Sequence, residues 1–163
     1  MYAPTIDNKT LTVKDLRRPW KFLPKPYDHS GGTTLLLDDS VDKAQFQPYN
    51  HICLTGYTAA RRQLDVQTRR RLLRNFSGDP TDPSYDSMLL AIVGVIEAAR
   101  KQPDVAHWLA TGGLRNVDVQ TRELINESTG LWFDDPDVLQ YWIHQGQQTL
   151  RRLDIPLIPG VVI

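Results

Sequence analysis

The sequence predicts an α/β fold whose helices gather toward the carboxyl end, and three observations predict it. The apolar run Thr33-Thr34-Leu35-Leu36-Leu37 follows Gly31-Gly32 and ends abruptly in Asp38-Asp39-Ser40. It reads as a short buried strand with acids at its carboxyl edge, where open α/β sheets collect ligands. A second pattern places Tyr85, Met88, Leu89, Ile92, Val93, Ile96 and Ala99 at spacings of three and four, a helix whose stripe is expected in the core. A third segment opens with Asp135 as cap and Pro136 at the first helical position, carries Val138, Leu139, Trp142, Leu150 and Leu153, and meets Pro156.

The remaining elements follow in chain order. Thr10 to Val13, bounded by Asn8 and Lys14, reads as a strand stub feeding a helical turn at Asp15-Leu16-Arg17-Arg18, which Pro19 limits. Lys21 to Gly32, with Pro24, Pro26 and two glycines, is a connection. After Ser40, Val41 to Phe46 reads as one helical turn, Gln47-Pro48-Tyr49-Asn50 as a turn, and His51 to Leu54 as a strand, so three short strands are expected before Gly56. The next block holds Arg61, Arg62, Arg69, Arg70, Arg71 and Arg74 among Leu64, Val66, Leu72 and Leu73. It is either a phosphate-contacting or import patch or a solvated face, and the neutral charge of the whole chain favours the solvated face. Asp79-Pro80-Thr81-Asp82-Pro83 breaks the chain, and Ser84 is the expected cap of the long helix. Asp104 is expected to cap a short helix through Trp108 that ends at Gly112-Gly113. Asp-Val-Gln-Thr-Arg occurs at Asp65 to Arg69 and again at Asp118 to Arg122, but the flanks differ and five residues are too few for a repeat unit.

Composition bounds the function. A chain of 163 residues, 40% hydrophobic and 23% charged, holds one ordinary core. Nineteen basic and nineteen acidic residues cancel, so no global field draws in nucleic acid or an anionic membrane, and nucleic acid is not an expected partner. The longest apolar stretches, Met88 to Ile96 and the tail from Ile155, fall short of the roughly 20 residues that span a bilayer, so no membrane span and a soluble chain are expected. Met1 to Asn8 has neither a secretory signal nor the arginines of a transit peptide. The single cysteine, Cys53, lies between Ile52 and Leu54 and reads as a buried thiol. His29, His51, His107 and His144 are scattered, which gives no zinc spacing, and Trp20, Trp108, Trp132 and Trp142 read as core.

Asp38 and Asp39 are the candidate site: Mg²⁺ takes oxygen ligands from one or two carboxylates plus phosphate and water. Around them, Val13-Lys14-Asp15-Leu16, Leu35-Leu36-Leu37-Asp38-Asp39-Ser40, Lys43-Ala44, Gln47-Pro48-Tyr49-Asn50, the helix at Leu89 to Glu97 and Val105 to Leu109 follow one another in an order and spacing that carry a likeness. The segment resembles the carboxyl-terminal part of the phosphatase homology domain of the RNA polymerase II C-terminal-domain phosphatases, a branch of the haloacid dehalogenase superfamily. Val41 stands where a proline usually follows Asp-Asp-Ser, a change for loop rigidity rather than chemistry.

The resemblance implies a truncated haloacid-dehalogenase-like three-layer sandwich over residues 1–112, with 113–163 as a helical extension. It implies that Lys14 clamps the phosphoryl group and that Asp38 and Asp39 hold Mg²⁺. In that superfamily the nucleophile is the first aspartate of an Asp-x-Asp-x-Thr element that precedes the lysine. The residues before Lys14 contain one aspartate, Asp7, in no such context, and leave no room for the second-motif Ser or Thr. Asp135-Pro136-Asp137 has the spacing but lies after the other motifs, and Asp135 reads as a helix cap. Covalent phosphoryl transfer then lacks its first step.

The expected function is therefore that of a non-catalytic, pseudo-phosphatase interaction protein, or a gene fragment, with a protein or phosphopeptide partner. Two alternatives stand beside it. One is the carboxyl-terminal part of an active Mg²⁺-dependent phosphoserine/phosphothreonine phosphatase whose nucleophile lies upstream. The other is a peptide-binding homologue like the mitochondrial presequence-import receptor. By resemblance the compartment is the nucleus or the mitochondrion. A sheet without its first strand exposes an unpaired edge, so self-association is expected too.

Overall fold

The computed structural model describes residues 12–24, 29–74, 85–115 and 130–157. Strand β1 (Leu36–Asp38) and strand β2 (His51–Cys53) pair in parallel, with Leu36 opposite His51, Leu37 opposite Ile52 and Asp38 opposite Cys53. Hydrogen bonding continues past the strand ends, since the Leu54 amide donates to the Asp38 carbonyl at 3.0 Å. β1 starts later than the apolar run suggests because the backbone before it is committed elsewhere. The Asn50 amide donates to the carbonyls of Gly31 (2.5 Å) and Thr34 (2.7 Å), and the Thr33 N–H closes a turn onto Ser30. Asn50 is itself buried, and these bonds satisfy it.

Two strands, not three, occur among the described residues. Thr10 and Leu11 of the expected first strand lie outside them, and Thr12 and Val13 join no ladder. A parallel pair needs a crossover, and here residues 39–50 supply it as two 3-10 turns, Val41–Ala44 and Pro48–Asn50. Helix α1 (Arg17–Phe22) runs through Pro19 instead of stopping at it. Pro19 is in the first turn, where a missing N–H leaves no intrahelical bond unmade.

Among the described residues four helices follow: α2 (Ala59–Arg74), α3 (Met88–Ala99), α4 (Val105–Ala110) and α5 (Pro136–Arg152). The caps fall largely where the sequence puts them. The Asp104 carboxylate accepts from the His107 amide, and Asp135 accepts from the amides of Asp137 and Val138, which makes Asp135 a cap. Gly112 adopts a left-handed φ of 83° just after α4. Ser84 lies outside the described residues; α3 starts at Met88, whose amide donates to the Asp86 carboxylate at 2.9 Å.

The core joins Ile52 of β2, Met88, Ala91, Ile92 and Val95 of α3, and Trp132, Val138, Trp142 and Ile143. Residues on both sides of position 113 thus share one apolar cluster. The buried face of α3 is rotated from the expected stripe, because Ala91 and Val95 are inside while Leu89 (72% exposed) and Ile96 face outward. The reason is the close crossing with α5. A Cβ on Gly146 would stand 1.9 Å from the Leu90 carbonyl oxygen, and one on Gly94 would stand 2.4 Å from the Trp142 carbonyl oxygen. Only small residues allow two helix backbones to approach so near, so the glycine face of α3 turns inward. Buried indoles find acceptors: Trp132 Nε1 donates to the Cys53 carbonyl at 2.9 Å and Trp142 Nε1 to the Leu114 carbonyl at 2.8 Å. Beyond the core, Glu97 of α3 meets Arg100, Lys101 and, across on α5, Arg152 at 2.9 Å.

Among the described residues no helix is long and apolar enough to cross a membrane.

The glycine crossing sets a stability expectation. Gly146→Ala forces α3 and α5 apart and should destabilise the chain by about 1–3 kcal/mol in urea denaturation. Gly32→Ala, whose Cβ would meet nothing nearer than 3.5 Å, serves as the control. Equal midpoints for the two variants would contradict the close packing.

Candidate functional site

Lys14 and Asp38, far apart in sequence, meet at the carboxyl end of β1. Asp38 ends the strand with its side chain only 4% exposed, so its carboxylate requires partners. Oδ2 accepts from the Lys14 ammonium. Oδ1 accepts from the Ser40 amide at 3.0 Å and from Lys43 Nζ at 3.1 Å. Lys43 also reaches Asp39 Oδ1 at 3.2 Å, and Asp39 is 57% exposed.

Local structure delivers both lysines. The Lys14 amide donates to the Lys43 carbonyl at 2.8 Å, the Leu16 amide to Gln47 Oε1 at 3.0 Å, and the Lys43 amide to the Ser40 carbonyl at 3.2 Å. The segment around Lys14 is therefore docked onto the 3-10 turn that follows β1. Leu16 is buried there, and Asp15 holds Arg17 through two hydrogen bonds of 2.9 and 3.0 Å. Arg17, chiefly, lowers the Asp15 pKa to about 2. Lys14, before the opposing effect of burial and the help of Lys43 and the Ser40 amide, holds the Asp38 carboxyl well below the usual carboxylate range. Lys43 is held further toward its charged form by Asp38 and then Asp39.

Asp38 and Asp39 also face a cavity of about 560 Å³, lined by Leu54, Tyr57, Met88 and Leu89 and by two further carboxylates, Asp65 and Asp86. Asp65 is buried on α2, accepts from Tyr57 Oη at 2.9 Å and from the Asp86 amide at 3.2 Å, and pairs with Arg61 at 3.3 Å. Arg61 also approaches Asp86 at 3.7 Å. The cations that balance these four acids, Lys14, Lys43 and Arg61, are not among the residues that line the cavity. A shallower groove of about 340 Å³ lies along the other side of β1, between Leu35, Leu37, Ile96 and Val105. Elsewhere Gln67, Arg70, Arg71 and Arg74 line a separate cavity on α2. Cys53 is buried, and burial raises its thiol pKa, as suits a structural residue.

Mg²⁺ is the metal that the sequence suggests for the acid pair. Mg²⁺ requires near-octahedral oxygen ligands, from carboxylates, phosphate and water. Both Asp38 oxygens already face ammonium groups, and Asp39 Oδ1 faces Lys43. As arranged, the pair does not fit the ion. The structure thus places Lys14, Asp38 and Asp39 at one strand end, with Lys14 bound to Asp38 and Asp39 bound to Lys43. Lys43, Asp65, Asp86, Tyr57 and Arg61 join them without having been singled out as site residues. The spacings of Lys43 from Asp39 and of Arg61 from Asp65, four residues each, were the available signals.

No family model, curated protein or solved structure matches the chain.

Acid stability follows from the depressed carboxyls. A carboxyl whose pKa is lower folded than unfolded, from an ordinary value of about 4, stabilises the fold above that value and ceases to as pH falls through the folded one. Arg100, chiefly, holds Glu97 at about 2, as Arg17 does Asp15, and Lys14, chiefly, holds Asp38 well below the usual carboxylate range. The melting temperature should therefore be level above about pH 5 and fall from about pH 4 downward. Asp38→Asn should melt lower at neutral pH and fall less steeply in acid; a slope equal to that of wild type would contradict the assignment.

Proposed function

We propose that this chain is a phosphatase-homology protein of the haloacid dehalogenase type that works by binding a polypeptide segment rather than by turnover. The reading rests on one observation above the rest: the docked Lys14–Asp38 pair stands beside a cavity walled by four carboxylates and by apolar and tyrosine side chains. The pairing of Lys14 with Asp38 at a strand end supports the phosphatase-homology reading.

Binding without turnover draws support from the state of the acids. A carboxylate nucleophile needs an approach line to phosphorus. Asp38 is held by two lysines, Asp65 by Tyr57, Arg61 and a backbone amide, and Asp86 by the Met88 amide with Arg61 nearby. Each of the three is committed to structure.

Charge favours a basic segment over a phosphorylated one. The cavity lining presents four carboxylates and neither a lysine nor an arginine, the nearby cations standing outside it. A Lys or Arg side chain entering beside Asp39 gains an ionic partner, whereas a phosphate dianion meets like charge. The aliphatic stem of such a side chain suits Leu54, Met88 and Leu89. The edge of β1 away from β2 carries no strand among the described residues, and Leu37 is exposed at the adjoining groove. An extended segment added along β1 would set apolar residues in that groove and a basic residue in the cavity. The same edge is the place for the expected self-association.

Fluorescence polarisation with a basic, apolar-flanked peptide and with a phosphoserine peptide tests the reading. The basic peptide should bind more tightly, and Asp39→Lys should weaken it about tenfold, roughly 1.4 kcal/mol. The chain should release no phosphate from an aryl phosphate with Mg²⁺. Magnesium-dependent turnover abolished by Asp38→Asn, or preference for the phosphopeptide, would overturn it.

A further inference from the structure

We infer that Lys43 is a tethered cation that fills the position between Asp38 and Asp39 where a divalent metal would sit, so that the acid pair is closed to metal by the chain itself. The inference rests on the reading of Asp38 and Asp39 as the acid pair of a phosphatase-homology site, and concerns what occupies that pair.

The geometry is that of a bridging ion. Lys43 Nζ lies 3.1 Å from Asp38 Oδ1 and 3.2 Å from Asp39 Oδ1, so that one ammonium contacts both carboxylates. Two backbone hydrogen bonds fix the base of the side chain, one from the Lys43 amide to the Ser40 carbonyl at 3.2 Å and one from the Lys14 amide to the Lys43 carbonyl at 2.8 Å. The ammonium is therefore presented from an anchored backbone position. A tether of this kind corresponds to an effective concentration on the order of millimolar or higher.

Charge reinforces the closure. Lys14 takes the second oxygen of Asp38, so two carboxylates are balanced by two ammonium groups within the cluster. An incoming divalent ion finds Asp38 Oδ1 and Asp39 Oδ1 already paired, and gains both only by expelling Lys43. Lys43 is 33% exposed, so it has room to swing out once uncoupled. Removing its charge should leave an acid pair with one open edge, the donor set that Mg²⁺ and Mn²⁺ accept. Lys43 thus decides whether the site takes a metal, and in the wild-type chain it decides against one.

Mn²⁺ titration of the full chain, followed by the loss of free-ion electron paramagnetic resonance signal, tests this. Lys43→Gln should bind Mn²⁺ at least about tenfold more tightly than wild type, and Lys43→Gln with Asp39→Asn should lose that gain. Lys43→Arg, which keeps the charge, should stay closed. Equal affinity of wild type and Lys43→Gln would overturn the inference. Should Lys43→Gln fail to fold by circular dichroism, the wild-type chain alone still decides: millimolar Mn²⁺ should leave its melting temperature unmoved, and a rise abolished by Asp39→Asn would refute the closure. The outcome separates from the peptide reading, since a chain that binds the basic peptide but takes up Mn²⁺ refutes the closure alone.

Discussion

The structure around the site depends on one constraint: the Asp38 carboxylate is withdrawn from water at the end of β1 and must be surrounded by donors. A buried charge left unpaired is strongly destabilising, so the neighbouring chain is arranged to meet it. Lys14 comes from before the strand, Lys43 from the turn after it, and the Ser40 amide from the bend between. Each source needs its own local structure. Docking of the Lys14 segment on the 3-10 turn, burial of Leu16 and the Gln47 bond to the Leu16 amide follow from placing one ammonium, and the tight turn directly after β1 follows from placing the other.

A second constraint fixes the frame on which that strand rests. β2 buries Ile52 against α3, and α3 is locked to α5 through the contact of Gly94 and Gly146 with opposing backbone. The crossing selects which face of α3 turns inward. It leaves Leu89 outside as a wall of the acidic cavity and Ile96 as a wall of the groove along β1. Packing energetics and site shape are therefore one matter: the glycines that permit the close approach also decide which apolar side chains a ligand would meet.

Much of this was legible in the sequence and some was not. The strand ending in Asp38, the Asp104 and Asp135 caps and the turn glycine at 112 are local signals, set by hydrogen bonding within a few residues, and they read directly. The phase of α3 was not legible, because Leu89 and Ile96 fit an apolar stripe as well as Ala91 and Val95 do, and only the α5 backbone chooses between them. Pro19 misled because its effect depends on whether it falls in the first turn of a helix or later. In the site, Lys14, Asp38 and Asp39 were found through resemblance and strand-end position, whereas Lys43 was hidden by its ordinary place in a polar turn. The partnership of Asp65 with Tyr57 and Asp86 depends on tertiary placement and left no mark beyond the Arg61 spacing.

The measurement that bears most directly on the account is a double-mutant cycle between Lys14→Met and Asp38→Asn, read by urea denaturation at neutral pH. Lys14 and Asp38 are coupled through the docked segment, so the interaction energy should be about 1 kcal/mol or more. Single-mutant effects that add to within about 0.5 kcal/mol would mean that Lys14 does not hold Asp38, and would contradict the site from which the function was argued.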